Sequence, residues 1–418
     1  NHLYYLDHIE EDVFFVLSNK NSPNFHILKS DINTKNIKDM SIVIPHNDLV
    51  FINNIYTISN YLILEVRKNG LPEITIFNLI TGSQSDISFE DHAYDVSLSL
   101  NDEKENLKFN YSYSSLTCPE SIYSYDLDEK KSNLLWQKNI VGFDKADYED
   151  KRLFVEVRDG TKVPVILLSK VDIDINNAPI LFYGYGSYGI NVDATFRSSI
   201  LPLIDRGFVF AIINIRGGGE MGKHWYEEGR LLNKMNTFND FNDVIKSVLN
   251  QNIGDSSKVF ARGGSAGGLL MGAIINLEPS LYKGILSGVP FVDVLTTMSD
   301  PTIPLTTFEY GEWGNPANIN EYNYIKEYSP YDNIGNYNYP AVFVTSSLYD
   351  SQVQYFEPAK YIAKLREYNQ SNNNIIMKMN LIGGHGGLSG RLNQFKEISE
   401  EYSFILNLAE EDNKKSPL

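Results

Sequence analysis

The feature that most constrains this chain is a serine among small residues, Ser265 in Gly263-Gly264-Ser265-Ala266-Gly267. A strand-like apolar run over residues 258–262 precedes it, and a helix-like run over residues 269–277 follows it. A serine held in a sharp strand-to-helix turn needs small neighbours, because its hydroxyl must project from a crowded bend. The arrangement predicts a nucleophilic serine, and a plain glycine-rich turn is the alternative.

A serine nucleophile needs a general base, and the sequence offers one histidine after it. Of the seven histidines, only His385, in Gly383-Gly384-His385-Gly386-Gly387, lies C-terminal to Ser265. In the fold that places its nucleophile on such a turn, the order along the chain is serine, acid, histidine. His385 is therefore the predicted general base and later general acid. Its glycine neighbours would let the loop reach the serine.

The acid that orients the imidazole must lie between the serine and the histidine. Asp350 is preferred because it follows the strand-like residues 341–345 by a few positions. Open α/β sheets place their sites just beyond the carboxyl ends of the strands. Asp293, Asp300 and Asp332 are the alternatives, and Asp293 also follows an apolar run.

Hydrolysis through a tetrahedral intermediate also needs hydrogen-bond donors for the oxyanion. The backbone N–H of Ala266 is one predicted donor, and the second is expected from the glycine-rich loop 183–189. This loop also contains the G-x-G-x-x-G dinucleotide fingerprint. That interpretation needs an acidic residue closing a second strand about 20 residues later. Ile215-Arg216-Gly-Gly-Gly-Glu220 occupies that region instead, so no cofactor is predicted.

From residue 155 onward, strand-like apolar runs alternate with helix-like ones. Such alternation predicts a mostly parallel, doubly wound sheet with helices on both faces, the architecture of an α/β-hydrolase. We assign residues 141–418 to this domain. The predicted strands cover residues 163–168, 180–183, 209–213, 259–261, 284–286, 341–345 and 375–379, and the predicted helices residues 237–249, 269–277, 357–368 and 394–408.

The first 130 or so residues contain a repeat. Residues 25–32, 73–79 and 121–127 share one strand-like pattern, with a proline upstream and polar turn residues downstream. Their Asp or Asn positions, at 31, 78 and 126, are 47 and 48 residues apart. A period of about 40 to 50 residues made of short strands is typical of β-propeller blades. Residues 1–140 are therefore predicted to be blades, and a generic antiparallel β domain is the alternative.

Three repeats are too few for a closed ring, since propellers typically have at least about four blades. Either the blades form an open sheet, or further blades precede Asn1. We favour the second interpretation and expect this segment to associate with that N-terminal part of its own propeller.

Composition excludes several classes of partner. The chain has 53 acidic and 36 basic residues and a net charge of -17, so a nucleic-acid binder is not expected. No run of about 18 apolar residues occurs, which predicts no membrane-spanning helix. No Cys/His spacing resembles a zinc site, so no metal is predicted. The single Cys118 fits a reducing compartment and predicts a cytoplasmic location, with the periplasm as the alternative.

Several motifs together resemble the prolyl oligopeptidase family. Those that carry the resemblance are Tyr183-Gly-Tyr-Gly-Ser-Tyr-Gly189, Arg216-Gly-Gly-Gly-Glu220, Gly263-Gly-Ser-Ala-Gly-Gly268 and the loops of Asp350 and His385. Closer similarity, to the oligopeptidase B group of that family, comes from Asn239-Asp-Phe-Asn-Asp-Val244, Glu312-Trp-Gly-Asn-Pro316, Tyr328-Ser-Pro-Tyr-Asp332, Asp350-Ser-Gln-Val-Gln-Tyr355 and Gly384-His-Gly-Gly-Leu-Ser-Gly-Arg391. The resemblance extends over essentially the whole chain.

The resemblance implies a seven-bladed β-propeller, only partly contained in residues 1–140, and an α/β-hydrolase peptidase domain. It also implies a serine-type endopeptidase that acts on short peptides through an acyl-enzyme. By the same resemblance, the Tyr185 hydroxyl completes the oxyanion hole, and Tyr188 is an aromatic wall of the pocket for the P1 side chain.

The substrate pockets depart from the family pattern. Oligopeptidase B cleaves after Lys or Arg, which requires carboxylates facing the basic side chain. Where relatives carry a Glu-x-Glu pair for P1, this chain has Glu309 and Gly311; where they carry Asp-x-Asp for P2, it has Asp193 and Thr195. We expect the basic P1 preference to survive and P2 selectivity to fall. The alternatives are a solvated loop acid at position 309 and a helix N-cap at position 193.

Two other functions remain open from the sequence. A prolyl or acylaminoacyl peptidase would keep the fold, but Glu309 argues against it because a proline pocket would want an apolar side chain. A non-catalytic, propeller-based binding protein would need no nucleophile, and the intact set of Ser265, Asp350 and His385 argues against that.

Overall fold

The structure is a computed structural model that describes residues 2–10, 12–99 and 107–414. Its internal contacts divide the chain into two compact units. The first unit comprises residues 1–145, 193–197 and 219–225, and the second comprises residues 146–192, 198–218 and 226–418. The first unit ends at residue 145, five residues after the predicted domain boundary at 140/141. The assignment of residues 193–197 and 219–225 to the first unit was not predicted.

The described part of the first unit folds into three four-stranded antiparallel sheets, each a meander in chain order. Each strand pairs with the strand next to it in the chain, so each sheet is built from local pairings. The strands are β1 (Tyr4–Glu10), β2 (Val13–Ser18), β3 (His26–Asp31), β4 (Ser41–Ile44), β5 (Val50–Ile58), β6 (Tyr61–Lys68), β7 (Leu71–Asn78), β8 (Gln84–Asp86), β9 (Tyr94–Ser99), β10 (Lys108–Ser115), β11 (Ser121–Asp126) and β12 (Lys131–Gln137).

The sequence repeat has a physical cause at the end of the third strand of each sheet. Asp31, Asn78 and Asp126 are the last residues of β3, β7 and β11. The Oδ1 atom of each accepts a hydrogen bond from a backbone N–H two residues later, and at Asn78 and Asp126 from one three residues later as well. Asp and Asn favour such turns because their short side chains substitute for a backbone acceptor.

Apolar faces join consecutive sheets. One cluster packs the first sheet, through residues such as Phe15 and Ile27, against the second sheet, through Ile52 and Leu64. A second cluster packs the second sheet against the third and is rich in tyrosine. Face-to-face packing of successive four-stranded sheets is the relationship between neighbouring propeller blades, so the prediction of blades is confirmed.

The second unit is built on one eight-stranded sheet in the order β13-β14-β16-β15-β17-β18-β19-β20. β14 pairs antiparallel with β13 and β16, and the other neighbouring pairs are parallel. All five residues of β16 are buried, as expected for a parallel strand covered on both faces. The strands are β13 (Tyr148–Glu156), β14 (Lys162–Lys170), β15 (Ile180–Tyr183), β16 (Val209–Ile213), β17 (Val259–Gly264), β18 (Gly284–Gly288), β19 (Ala341–Ser347) and β20 (Ile375–Asn380).

Helices connect these strands. In α3 the apolar residues recur at helical spacing, so Phe238, Phe241, Val244 and Val248 form one buried face. The helices are α1 (Leu201–Ile204), α2 (Lys223–Glu227), α3 (Met235–Asn250), α4 (Ala266–Leu277), α5 (Val294–Ser299), α6 (Tyr310–Trp313), α7 (Ile319–Tyr328), α8 (Phe356–Tyr368) and α9 (Arg391–Lys414). The α/β-hydrolase prediction is confirmed. Strand β13 and the helices α1, α2, α5, α6 and α7 were not predicted.

The nine helices of the described ranges include none with the length and apolarity needed to cross a bilayer.

Candidate active site

Ser265 lies between the end of β17 and the start of α4, in a backbone conformation that side chains rarely adopt, with φ 58° and ψ -118°. Its N–H donates a hydrogen bond of 2.8 Å to the Gly288 carbonyl at the end of β18. The turn closes so tightly that a Cβ on Gly263 would lie 2.3 Å from the Gly267 oxygen, and one on Gly268 would lie 2.4 Å from Pro290 Cβ. The glycines are therefore required by close packing, as in a nucleophile elbow.

Asp350 and His385 meet beyond the ends of β19 and β20. His385 Nδ1 lies 2.8 Å from Asp350 Oδ2 and 3.0 Å from Oδ1. Asp350 Oδ1 also accepts hydrogen bonds of 2.9 Å from the N–H groups of Gln352 and Val353. Since Nδ1 is bound to the carboxylate, the imidazole keeps Nε2 for proton transfer.

The Asp350 carboxyl is held in its charged form. Burial alone would raise its pKa, but the hydrogen bonds from His385 and from the two backbone N–H groups together bring the pKa below the ordinary value. A carboxylate that stays ionised can orient an imidazole and stabilise the imidazolium that forms during the reaction.

Two of the three alternative acids have other partners in the structure, and the third is exposed. Asp293 is fully buried and pairs with Lys360. Asp300 accepts hydrogen bonds from the backbone and hydroxyl of Thr302, and Asp332 is exposed. His385 is hydrogen bonded to Asp350, the aspartate preferred in the sequence analysis because it follows a strand.

Tyr185 and Ala266 lie next to the serine. The Tyr185 side chain interacts electrostatically with the Ser265 side chain. Burial, together with the negative charges of Glu309 and Glu312, raises the pKa of Tyr185 to about 12. The phenol therefore remains a hydrogen-bond donor at all ordinary pH values. Ala266 opens α4, and the first N–H groups of a helix have no acceptor within that helix.

A cavity of about 240 Å³ adjoins Ser265. It brings together Ser265, Ala266, Tyr185, Tyr188 and Glu309, all five named from the sequence. Most of the remaining wall is apolar, with hydroxyls from two threonines. The other lining residues are Ile190, Phe291, Thr297, Met298, Pro304, Leu305, Thr306, Gln352 and Val353.

Glu309 is fixed in the cavity wall by two donors. The Tyr188 hydroxyl lies 2.9 Å from its Oε2 atom, and Trp313 Nε1 lies 2.7 Å from the same atom. Among the described residues, none donates a hydrogen bond to Glu309 Oε1. The arrangement holds one carboxylate oxygen within the protein and leaves the other without a hydrogen-bond donor among the described residues.

The sequence analysis missed Glu312. It is 4% exposed, and its two oxygens accept hydrogen bonds from the Tyr188 N–H at 2.9 Å and the Tyr226 hydroxyl at 2.6 Å. Its distance of three residues from Glu309 was the available signal, because positions i and i+3 share a helix face. Although position 311 carries no acid, Glu312 places a buried carboxylate beside Tyr188.

Asp193 is placed differently from the other candidates. It belongs to the segment 193–197 of the first unit and is not among the residues that line the cavity. Both of its carboxylate oxygens bind the guanidinium of Arg67, a side chain that is 4% exposed. A substrate cation would have to share this carboxylate with an internal arginine.

Comparison with known families covers both units. Residues 194–412 match the family described as "Prolyl oligopeptidase family", and residues 1–138 match "Prolyl oligopeptidase, N-terminal beta-propeller domain".

Among curated proteins, the chain is 41% identical over 406 residues to "Dipeptidyl aminopeptidase BI" of Pseudoxanthomonas mexicana, with 97% of the chain and 56% of that protein covered. It is 39% identical over 407 residues to "Protease 2" of Moraxella lacunata, with 97% of the chain and 58% of that protein covered. The chain thus spans a little over half the length of these relatives.

Solved structures show the same relationship. Oligopeptidase B from Leishmania major aligns with a TM-score of 0.90 at 34% identity, over 98% of this chain and 58% of that one. Oligopeptidase B from Trypanosoma brucei with covalently bound antipain, in a closed form, aligns with a TM-score of 0.91 at 34% identity, over 98% of this chain and 59% of that one.

Proposed function

The chain belongs to the prolyl oligopeptidase family, and on that premise we propose that it is a serine oligopeptidase that hydrolyses short peptides on the carboxyl side of Arg or Lys. The observation that carries the proposal is the position of Glu309, in the wall of the cavity that adjoins Ser265. A carboxylate with one oxygen available there suits a guanidinium or ammonium group.

The mechanism follows from the arrangement of donors and acceptors. Ser265 Oγ attacks the scissile carbonyl carbon and passes its proton to His385 Nε2, while Asp350 holds the imidazole through Nδ1. The Tyr185 hydroxyl and the Ala266 N–H stabilise the oxyanion. The imidazolium then gives its proton to the leaving amine as the C–N bond breaks, which leaves an acyl-enzyme. Water, deprotonated by His385, attacks that ester and releases the acid and the free serine.

Paired substrates test the specificity. We would compare fluorogenic peptides that differ only at P1, with arginine, its neutral analogue citrulline, or proline, on the enzyme and its Ser265→Ala variant. We expect serine-dependent release after arginine at a rate at least about 10-fold above that after citrulline, since a charged hydrogen-bonded partner is worth about 1.5–3 kcal/mol. Glu309→Gln should reduce the preference for arginine over citrulline.

Glu367→Gln is the matched control, because it removes the same charge from an exposed position on α8. It should leave the arginine preference unchanged. Release after proline but not arginine would overturn the specificity while keeping the triad. Absence of serine-dependent release from all three peptides would overturn the peptidase assignment and favour a binding protein.

A second candidate activity is release of dipeptides from a free N-terminus, favoured by the 41% identity to a protein named dipeptidyl aminopeptidase BI. Peptides with a free or an acetylated N-terminus, each with arginine at the second position, separate the two activities. Internal cleavage predicts similar rates for both peptides. Dipeptide release predicts that acetylation abolishes turnover.

The role of Asp193 in binding a basic P2 side chain is a separate part of the proposal. Its support is the partial exposure of the Asp193 side chain, 18%, despite the ion pair with Arg67. We expect Asp193→Asn to lower kcat/KM for substrates with arginine at P2 and to leave those with alanine at P2 unchanged. Equal effects on both substrates would assign Asp193 a structural role.

Two further points complete the proposal. We propose that residues 1–140 act together with further blades of the same propeller, supported by the three consecutive sheets of the first unit. We also propose a cytoplasmic location, supported by a single cysteine, Cys118, that is buried and free. Fractionation of the source cells, with immunodetection of the protein, would test the location.

A further inference from the structure

The 185–188 loop carries both the oxyanion donor and the wall of the P1 cavity, and a buried lysine lies behind it. Lys234 precedes α3 and is 1% exposed. Its Nζ atom donates hydrogen bonds to the Gly186 carbonyl at 2.6 Å and to the Ser187 hydroxyl at 2.8 Å. These two residues separate Tyr185 from Tyr188, so the ammonium is hydrogen bonded to the middle of the loop.

Two aromatic rings also lie near Lys234. Nζ lies 5.1 Å from the centre of the Trp313 ring and 5.9 Å from that of Phe238, within range of cation–π attraction. The Glu312 carboxylate acts on Lys234 through its charge. A buried charge is costly unless hydrogen bonded, so the two hydrogen bonds to the loop stabilise the buried ammonium.

The protonation state of Lys234 is consistent with this role. Burial lowers the pKa of Lys234 to about 8, while the nearby Glu312 carboxylate acts in the opposite direction. The amine is therefore charged at neutral pH, and both of its hydrogen bonds are charge-assisted, which makes them roughly twice as strong as neutral ones.

The backbone of this loop is closely packed at Gly186. Gly186 has a φ of 69°, and a Cβ there would lie 2.6 Å from Thr237 Cγ2 and 2.7 Å from Ile215 Cδ1. On the other side, the Tyr188 N–H is bound by Glu312 at 2.9 Å. A positive and a negative side chain thus hold the two halves of one short loop, and Tyr185 projects from it to Ser265.

We propose that Lys234 is a positioning residue for the reaction, which fixes the Gly186–Ser187 backbone so that the Tyr185 hydroxyl faces the oxyanion formed at Ser265. The proposal rests on the proposed function, since it assigns Tyr185 to the oxyanion hole. Lys234 is not among the residues that line the cavity beside Ser265. Its effect passes through the loop and should appear in kcat rather than in KM, because oxyanion contacts form in the transition state.

A double-mutant cycle between Lys234 and Tyr185 tests the proposal. The enzymes are the wild type, Lys234→Met, Tyr185→Phe and the double variant, assayed with one arginine substrate. Methionine keeps the length and apolar stem of lysine but cannot donate. We expect Lys234→Met to lower kcat by about 10-fold or more in the wild type and by less than about 3-fold in Tyr185→Phe, with KM nearly constant.

Equal losses of kcat in both backgrounds would overturn the proposal, because a general structural defect does not depend on the Tyr185 hydroxyl. If Lys234→Met does not fold, Ser187→Ala takes its place in the cycle, since it removes one of the two acceptors. The same non-additive pattern is expected with a smaller loss, and additive losses would again contradict the positioning role.

A measurement without turnover separates this proposal from the proposed function. Hydrogen exchange of a peptide covering residues 184–190 should be faster in Lys234→Met than in the wild type, while a peptide from β17 should exchange at the same rate. If loop exchange is faster in Lys234→Met but the protein cleaves no peptide, the proposed function is wrong, while the stabilisation of the loop by Lys234 is supported. Unchanged loop exchange would contradict the proposal that Lys234 stabilises the loop.

Discussion

The imidazole of His385 faces both oxygens of Asp350, with Nδ1 at 2.8 Å from Oδ2 and 3.0 Å from Oδ1. The Asp350 side chain is fully buried, and its carboxylate is anchored by two backbone N–H groups of its own loop. A histidine held in this way has one tautomer and one orientation, which are the properties that a general base for serine requires.

Replacing Asp350 with asparagine should therefore lower kcat by about 10³- to 10⁴-fold, because the amide favours the wrong histidine tautomer. Asp332→Asn is the matched control, since Asp332 is exposed and was an alternative acid in the sequence. Steady-state kinetics with an arginine substrate compare the two variants. A large loss in Asp332→Asn, or a small one in Asp350→Asn, would reassign the acid.

Replacing Tyr185 with phenylalanine should remove one oxyanion donor and lower kcat by about 10²-fold, with little change in KM. Because burial raises the pKa of Tyr185 to about 12, the loss should be the same from pH 6 to pH 9. Tyr322→Phe on α7 removes a phenol that does not line the cavity and serves as the control. An effect confined to KM would place Tyr185 in substrate binding instead.

We expect Glu357 to make the stability of the second unit depend on pH. This fully buried carboxyl accepts hydrogen bonds from the N–H groups of Val292 and Asp293 and from the Thr297 hydroxyl. Burial raises its pKa from 4.5 to about 7, against the effect of those hydrogen bonds. The folded state therefore keeps a proton that the unfolded state loses, and the free energy of unfolding contributed by Glu357 falls between about pH 4.5 and 7.

Glu357→Gln cannot ionise, so we expect it to remove that fall. Relative to the wild type, the free energy of unfolding of the variant should be higher at pH 8 than at pH 5 by about 2–3 kcal/mol. Urea unfolding at both pH values measures this difference. Glu367→Gln, at an exposed position of α8, is the control: its free energy of unfolding should differ from that of the wild type by the same amount at pH 5 and at pH 8. The prediction is contradicted if Glu357→Gln also differs from the wild type by the same amount at the two pH values.

Asn78→Ala should destabilise the first unit by about 1 kcal/mol, because Oδ1 of Asn78 accepts two backbone hydrogen bonds that close the turn between β7 and β8. The repeat supplies the control: Asp stands at the two equivalent positions, 31 and 126, so Asn78→Asp should be nearly neutral. Chemical unfolding monitored in this unit compares the variants. If Asn78→Ala and Asn78→Asp lower the free energy of unfolding equally, the hydrogen-bond acceptor at position 78 does not account for the stabilisation.

Much of the catalytic unit was predictable because its signals are local. Ranges for β15 and β16 were predicted residue for residue, since short apolar runs between turns leave little freedom. His385 followed from chain order alone, as the only histidine after Ser265. The acid was harder, since several aspartates fitted the order, and only three-dimensional contact pairs one of them with the histidine.

What escaped prediction depends on contacts between distant residues. Strand β13 has four consecutive charged residues followed by three apolar ones, without the alternation of a half-buried strand, and is defined by its pairing with β14. Glu312 and Lys234 look like ordinary charged residues in the sequence, and their burial behind the 185–188 loop comes from packing. The ion pair of Asp193 with Arg67 joins residues 126 positions apart, a relationship that no local pattern encodes.

The backbone conformation of Ser265 implies a trade-off between thermal stability and catalytic activity. A non-glycine residue with φ 58° and ψ -118° carries a conformational cost of order 1–3 kcal/mol that glycine would not. Ser265→Gly should therefore melt at a higher temperature than Ser265→Ala, although neither has a nucleophile. A laboratory selection for heat resistance alone would reward loss of the hydroxyl, and only a simultaneous demand for turnover would retain it.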